Sequence, residues 1–336
     1  METGKKKRVV IPIGDPAGIG PEIAVKALAH PELHDWCEPI LTGEKSVLEQ
    51  ALTITGLPLQ LHAIGHAQEG IYHCGVIDYR NLDNVRSGEL VFGEIQAKAG
   101  RAAYEFIEEA VRLLKTGQAD AIATTSIQKE ALKAAGVPYI GHTEILADLL
   151  ETKDPMTMFQ VRNLKVFFLT RHLSLKDALE QVKEERIYQF ILRCHGVLKK
   201  LGIQNPRIAV AGLNPHSGEH GLFGMEEVKE IAPAVERARE QGICAYEPVP
   251  ADSVFYQALM GKYDAVMSLY HDQGHIATKM VDFERTIAVT LGMPYIRTSV
   301  DHGTAFDIAG KNLASEVSMC EAIRLAAEYA EIYRVK

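Results

Sequence analysis

The sequence predicts an α/β protein of two lobes, on three observations. Short β-rich apolar runs bounded by Gly, Pro and Asn alternate with longer stretches of helical period, the pattern of parallel sheets covered by helices. The 336 residues make about two domains at ~150 residues each. Neither internal repeats nor a Ser/Gly/Pro-rich linker occur, which favours lobes sharing a continuous or exchanged sheet over beads on a string. One lobe is expected at 1–135 plus about 300–336, the other at about 136–300.

The elements follow in order. Strand 8–14 (RVVIPIG) enters the turn GDPAGIGPE, and a helix starts near Pro21, a residue suited to the first helical position. The glycine spacing of that turn matches neither G-x-G-x-x-G nor a P-loop, so it marks a tight turn rather than a nucleotide site. Segment 95–115 places Ala99, Ala102, Ala103, Phe106, Ile107, Ala110, Val111 and Leu114 at spacings of three and four, an amphipathic helix. Strand 119–125 follows. Beyond Gly141 the strand candidates are 156–163, 164–170, 207–214, 264–270 and 286–292, with helical stretches at 173–201, 224–241 and 313–334. The basic run Lys5-Lys6-Lys7-Arg8 reads as a solvated tail.

Composition narrows the function. With 47% hydrophobic and 24% charged residues the chain is neither disordered nor fibrous. Its formal charge of −8 offers nucleic acid or anionic lipid no general attraction, so an anionic ligand needs a locally cationic pocket. Five scattered cysteines without C-x-x-C indicate neither a disulfide framework nor a cysteine zinc site and fit a reducing cytoplasm. No apolar run approaches the ~18 residues that span a bilayer, and the start does not read as a signal peptide.

The chemistry gathers behind three strands. LKVFFLT leads to Arg171-His172, RIAVAGLN to Pro215-His216, and DAVMSLY directly to His271. Ligands of open α/β sheets bind at the carboxyl edge of the strands, so three histidines there can converge on an open divalent-metal site. For any one of them alone, a surface or capping histidine is the simpler reading. YHDQGH (270–275) adds Asp272, Gln273 and His275, poor packing material for a strand end. Lys279 and Arg297 are candidate anchors for a phosphate or carboxylate, or else solvated cations. In Gly141-His142-Thr143-Glu144, Thr143 reads as a helix N-cap, or His142 and Thr143 contact substrate beside the free amides of a helix start.

Five strings resemble the 4-hydroxythreonine-4-phosphate dehydrogenase family and its 4-phospho-D-threonate and 4-phospho-D-erythronate relatives: GDPAGIGPE, GHTE, NPHSGE, YHDQG and IRTSVDHGTAFDIAG. The resemblance spans about residues 8–330. It implies a homodimer with an isocitrate/isopropylmalate dehydrogenase-like fold and a cleft between two α/β/α lobes, near the subunit interface. It also implies NAD and one divalent cation (Zn, Mg, Mn or Co). Residue by residue it implies His172, His216 and His271 as metal ligands, and His142, Thr143, Lys279 and Arg297 as substrate contacts. Where the family commonly carries a substrate-contacting asparagine, this chain has Ala288 within IAVT, a departure that bears on substrate choice. The stretches HDQGHIATK and DHGTAFDIAG look closer to the phospho-threonate branch.

That branch implies NAD-dependent oxidation of the hydroxyl β to the carboxylate, then loss of carbon dioxide to give dihydroxyacetone phosphate. Asp272, Asp252 and Lys279 are the candidate catalytic groups, though either aspartate could be a plain cap. NAD rests on resemblance alone, which leaves a three-histidine hydrolase or lyase without NAD as the rival from another class, besides the 4-hydroxythreonine-4-phosphate enzyme of pyridoxal phosphate biosynthesis. A non-catalytic anion-binding protein would leave the histidines unexplained.

Overall fold

A computed structural model describes residues 6–333, in which the chain forms one compact unit up to Met156 and again from Ile287, and a second over Thr157–Thr286. The crossing points thus fall some twenty residues later, and about thirteen earlier, than 136 and 300. Two packing facts account for this. The helix carrying His142 buries Ile145 and Leu146 in the first unit's core, and strand Ile296–Ser299 pairs with a first-unit strand.

The first unit opens with β1 (Lys7–Pro12), α1 (Gly20–Leu28), α2 (Pro31–Trp36), β2 (Cys37–Gly43), α3 (Lys45–Thr55), β3 (Gln60–Ala63) and β4 (Val76–Asn81). It continues with α4 (Ala97–Lys115), β5 (Ala121–Thr124), α5 (Lys129–Ala134) and α6 (His142–Leu149). The second unit holds β6 (Met156–Val161), β7 (Leu164–Phe168), α7 (Leu175–Glu180), α8 (Glu184–Lys200), β8 (Ile208–Ala211), α9 (Ala232–Glu240), β9 (Ala245–Val249), α10 (Ala251–Leu259), β10 (Ala265–Ser268) and α11 (His271–Val281). The chain then returns through β11 (Ile287–Leu291), β12 (Ile296–Ser299) and α12 (Val317–Ile332).

In the first unit the strands run β3-β4-β2-β1-β5-β12-β11, all neighbours parallel except the β11/β12 hairpin. β1 and β5 are covered by α4 and α12, and β5 is buried along its whole length, as a strand covered on both faces must be. In the second unit the order is β6-β7-β10-β8-β9, parallel but for the β6/β7 hairpin. Each hairpin departs from the parallel pattern because a short connection can join only antiparallel strands.

Other expectations change. Lys7 and Arg8 begin β1, Arg8 pairs with Glu38 at 2.9 Å, and Lys6 Nζ donates to the His34 carbonyl, so this run is no solvated tail; Lys5 lies outside the described residues. Stretch 173–201 is two helices, because Ser174 caps α7 and the chain turns over 181–183 before α8. Within 224–241, Pro233 offers no N–H and its ring presses on the turn before it, and a π-helical turn over Glu227–Ile231 precedes α9. Thr143 lies inside α6, whose N-cap is Gly141, so it is not the cap. All five cysteines are free, and among the described residues no helix is long and apolar enough to cross a membrane.

Gly100 of α4 faces α5 so closely that a Cβ there would lie 2.1 Å from the Ala131 carbonyl oxygen. Helix propensity alone would reward Gly100→Ala by about 1 kcal/mol. Overpacking opposes it with about 1–3 kcal/mol, so urea unfolding is expected to show net destabilisation, and a stabilised variant would contradict the close α4/α5 contact.

Candidate functional site

The second unit's ladder sets the site. β7, β10 and β8 are adjacent and parallel, with Phe168 beside Ser268 and Met267 beside Val210, so their carboxyl ends stand in one row. Neighbouring strands lie about 4.8 Å apart. His172 follows β7 by four residues, His271 follows β10 by three, and His216 follows β8 by five. Gln273 ties two of these ends together: its Oε1 accepts from Leu269 N at 2.7 Å and its Nε2 donates to the Gly212 carbonyl at 2.7 Å.

A cavity of about 280 Å³ opens at this edge, lined by Arg171, His172, Tyr270, His271 and Asp272 with apolar residues of the α7 segment. The His172 and His271 ring centroids are 6.3 Å apart, and Asp272 Oδ1 lies 4.0 Å from His271 Nε2. Burial lowers the pKa of the Arg171 guanidinium. Behind His271 stands His275, whose ring stacks on it at 4.1 Å and on Phe168 at 4.5 Å, with Phe159 edge-on at 4.3 Å. Burial first, then the His271 charge, brings the His275 pKa down to about 3.

His216 does not border that cavity. It starts a left-handed turn in which residues 216–220 all have positive φ, and its ring lies 6.2 Å from that of Phe223. Among the described residues no three His, Cys, Asp or Glu side chains are grouped so as to hold a metal ion as placed. The donors still fit a divalent cation. Two imidazoles border one cavity, the third rises from the adjacent strand end, and His271 Nδ1 is buried without a hydrogen-bond partner. Asp252, exposed in the first turn of α10, and Lys279, whose Nζ lies 5.0 Å from the Phe283 ring, belong to the same unit but do not line the cavity.

The first unit holds the remaining residues. Arg297 on β12 is 6% exposed, and its guanidinium donates to Thr124 Oγ1 at 2.9 and 3.2 Å and to Thr290 Oγ1 at 3.1 Å. His142 opens α6 with a buried, unpartnered Nε2; burial, and secondarily the Arg297 charge, holds its pKa well below the usual value. Thr143 is next on the helix, and Ala288 on β11 pairs with Ser299. Glu227, which no sequence motif marks, is buried under the His216 turn. Its signal was an acid in phase with the apolar residues Ile231, Ala234 and Val235.

The chain matches, over residues 35–326, the family described as "Pyridoxal phosphate biosynthetic protein PdxA". It belongs to that family. A protein of Halalkalibacterium halodurans named "Putative D-threonate 4-phosphate dehydrogenase" is 58% identical, over 97% of this chain and 98% of its own. A Clostridium botulinum protein of the same name is 56% identical, over 98% of each. The crystal structure of a 4-hydroxythreonine-4-phosphate dehydrogenase from Klebsiella pneumoniae superposes with a TM-score of 0.90 at 41% identity, covering 98% of this chain and 99% of that one. This member of the PdxA family is a dehydrogenase, an oxidoreductase acting on a secondary alcohol.

The folded pKa of His275 lies below its unfolded value, so the unfolded chain takes up that proton first. The stability His275 contributes is complete above about pH 6.5 and lost as the pH falls toward about 3. His275→Phe keeps the ring stack without the titration. In metal-free protein, wild-type stability relative to the variant is therefore expected to fall by up to about 1.4 kcal/mol per pH unit through that window, and a flat difference would contradict a buried neutral imidazole.

Proposed function

We propose that the chain oxidises 4-phospho-D-threonate, or 4-phospho-D-erythronate, with NAD and a divalent cation, and decarboxylates the product to dihydroxyacetone phosphate. The observation that carries this reading is the row of three histidines at the ends of adjacent parallel strands, beside Asp272. The substrate name borne by relatives at 56–58% identity supports it. So does Ala288, whose methyl cannot make an amide's hydrogen bonds.

His172, His216 and His271 would hold the cation through neutral imidazole nitrogens. When bound, the cation lowers the pKa of the substrate hydroxyl and stabilises negative charge developing on the substrate, while NAD accepts the hydride. Asp272, whose Oδ1 lies 4.0 Å from His271 Nε2, would orient that ring or take the hydroxyl proton; Asp252 and Lys279 are the other proton-transfer candidates. Arg297 and Lys279 supply positive charge for the phosphate and carboxylate, and His142 and Thr143 supply hydrogen bonds. The hydroxyl carbon would lose a hydride to NAD and the hydroxyl oxygen a proton to the protein. The resulting β-keto acid then loses its carboxylate as carbon dioxide, and the enolate is reprotonated.

A homodimer belongs to this reading. Tyr256 on α10 and Met260 at its C-cap, with Ile276 and Met280 on the adjacent α11 and Phe283 just beyond it, are each at least 64% exposed. These large apolar side chains, four on one helix pair and its cap and one just beyond it, suit a second copy, and α11 begins at His271. The dehydrogenase is expected in the cytoplasm. Light scattering should give a dimer for the wild type and a monomer for Met280→Asp; a monomeric wild type would remove this face from the account.

The substrate is tested by assaying 4-phospho-D-threonate, 4-phospho-D-erythronate and 4-phosphohydroxy-L-threonine side by side with NAD and cation, following NADH and dihydroxyacetone phosphate. The first two should turn over and the third poorly. Preference for the third would place the chain in the vitamin pathway, and consumption of substrate with release of phosphate or a dehydrated acid, but neither NADH nor dihydroxyacetone phosphate, would indicate a hydrolase or lyase.

A further inference from the structure

We infer that Glu227 is a positioning residue whose carboxylate holds the left-handed turn that presents His216. The inference rests on the reading that His216 faces a divalent cation.

From His216 to His220 five successive residues have φ between 46° and 78°, and only Gly218 among them is a glycine. The left-handed conformation costs an ordinary residue roughly 1–2 kcal/mol, so such a run persists only where its surroundings impose it. Glu227 is 3% exposed, and its hydrogen bonds go to the start of that turn. Its Oε1 accepts from Leu213 N at 2.8 Å and Asn214 N at 2.7 Å, and its Oε2 accepts from Asn214 Nδ2 at 2.8 Å. These are charge-assisted bonds to the two residues just before Pro215-His216. The middle of the turn also leans on the carboxylate: a Cβ on Gly218, at φ +78°, would lie 2.8 Å from Oε2.

The preceding residue is anchored from the other side, where Gln273 holds the Gly212 carbonyl to the start of the His271 segment. The strand end that carries His216 is thus pinned at 212 by Gln273 and at 213–214 by Glu227. A π-helical turn supplies Glu227, an irregularity that recurs at functional sites. Glu226 touches the same Asn214 amide at 2.8 Å but is exposed, which makes it the natural control.

The test uses full-length protein with Co²⁺ as the probe, read by calorimetry and by the visible absorption of bound cobalt. In Glu227→Gln the amide nitrogen turns a donor toward Asn214 Nδ2 or toward the backbone N–H groups, and the turn loosens. Cobalt affinity is expected to fall by about 10–100-fold with an altered spectrum, while Glu226→Gln leaves both unchanged. The loss should also vanish in a His216→Ala background, because Glu227 acts through that ring. If Glu227→Gln does not fold, Gly218→Ala displaces the turn from an intact carboxylate and carries the same expectation. Wild-type affinity and spectrum in the folded variant, or a loss that adds to that of His216→Ala, would overturn the inference. A wild-type chain that takes no cobalt would instead sink the metal reading on which it stands.

Discussion

The parallel register of β7, β10 and β8 is the constraint on which the rest depends. Backbone hydrogen bonds fix Phe168 beside Ser268 and Met267 beside Val210, and that alignment gathers side chains as far apart in sequence as 172 and 271 at one edge. A parallel ladder can be closed only through crossover helices, which is why α8 and α10 intervene and why the chemistry is spread over a hundred residues. The sheet brings backbone ends together; polar side chains then aim what leaves them. Gln273 does this between β10 and β8, and the His275–Phe168–Phe159 stack does it behind His271.

Charge follows the same division. The chain as a whole is acidic, with a formal charge of −8, so the anionic substrate proposed for it would need a locally positive site. Burial keeps His275 and His142 neutral, so these imidazoles act as packing or hydrogen-bonding groups rather than as cations. Each unit keeps a buried or half-buried guanidinium, Arg171 in the second and Arg297 in the first, the latter cradled by threonine hydroxyls on its own sheet. In the proposed reading a dication among the histidines would dominate the local field.

Strand ends were legible in the sequence because apolar runs stop where polar, chemistry-bearing residues begin: LKVFFLT before Arg171-His172, DAVMSLY before His271. The hairpins β6/β7 and β11/β12 were not, since strand direction is a property of pairing and leaves no mark on a short apolar run. Nor could periodicity show the left-handed turn at His216. NPHSGEHG holds only three residues suited to such a backbone, two Gly and one Asn, and only one of them, Gly218, lies among residues 216–220, so the conformation is imposed from outside by Glu227. His275 stood out as an odd residue in YHDQGH, but its role as a prop emerges only once Phe159 and Phe168 surround it.

The central claim is that three strand-edge histidines hold one cation. Crystals of the full chain grown with Co²⁺ and measured at the cobalt absorption edge test it most directly. The account predicts a single strong anomalous peak bonded to nitrogen atoms of His172, His216 and His271. A peak elsewhere, or one that leaves out His216, would contradict it.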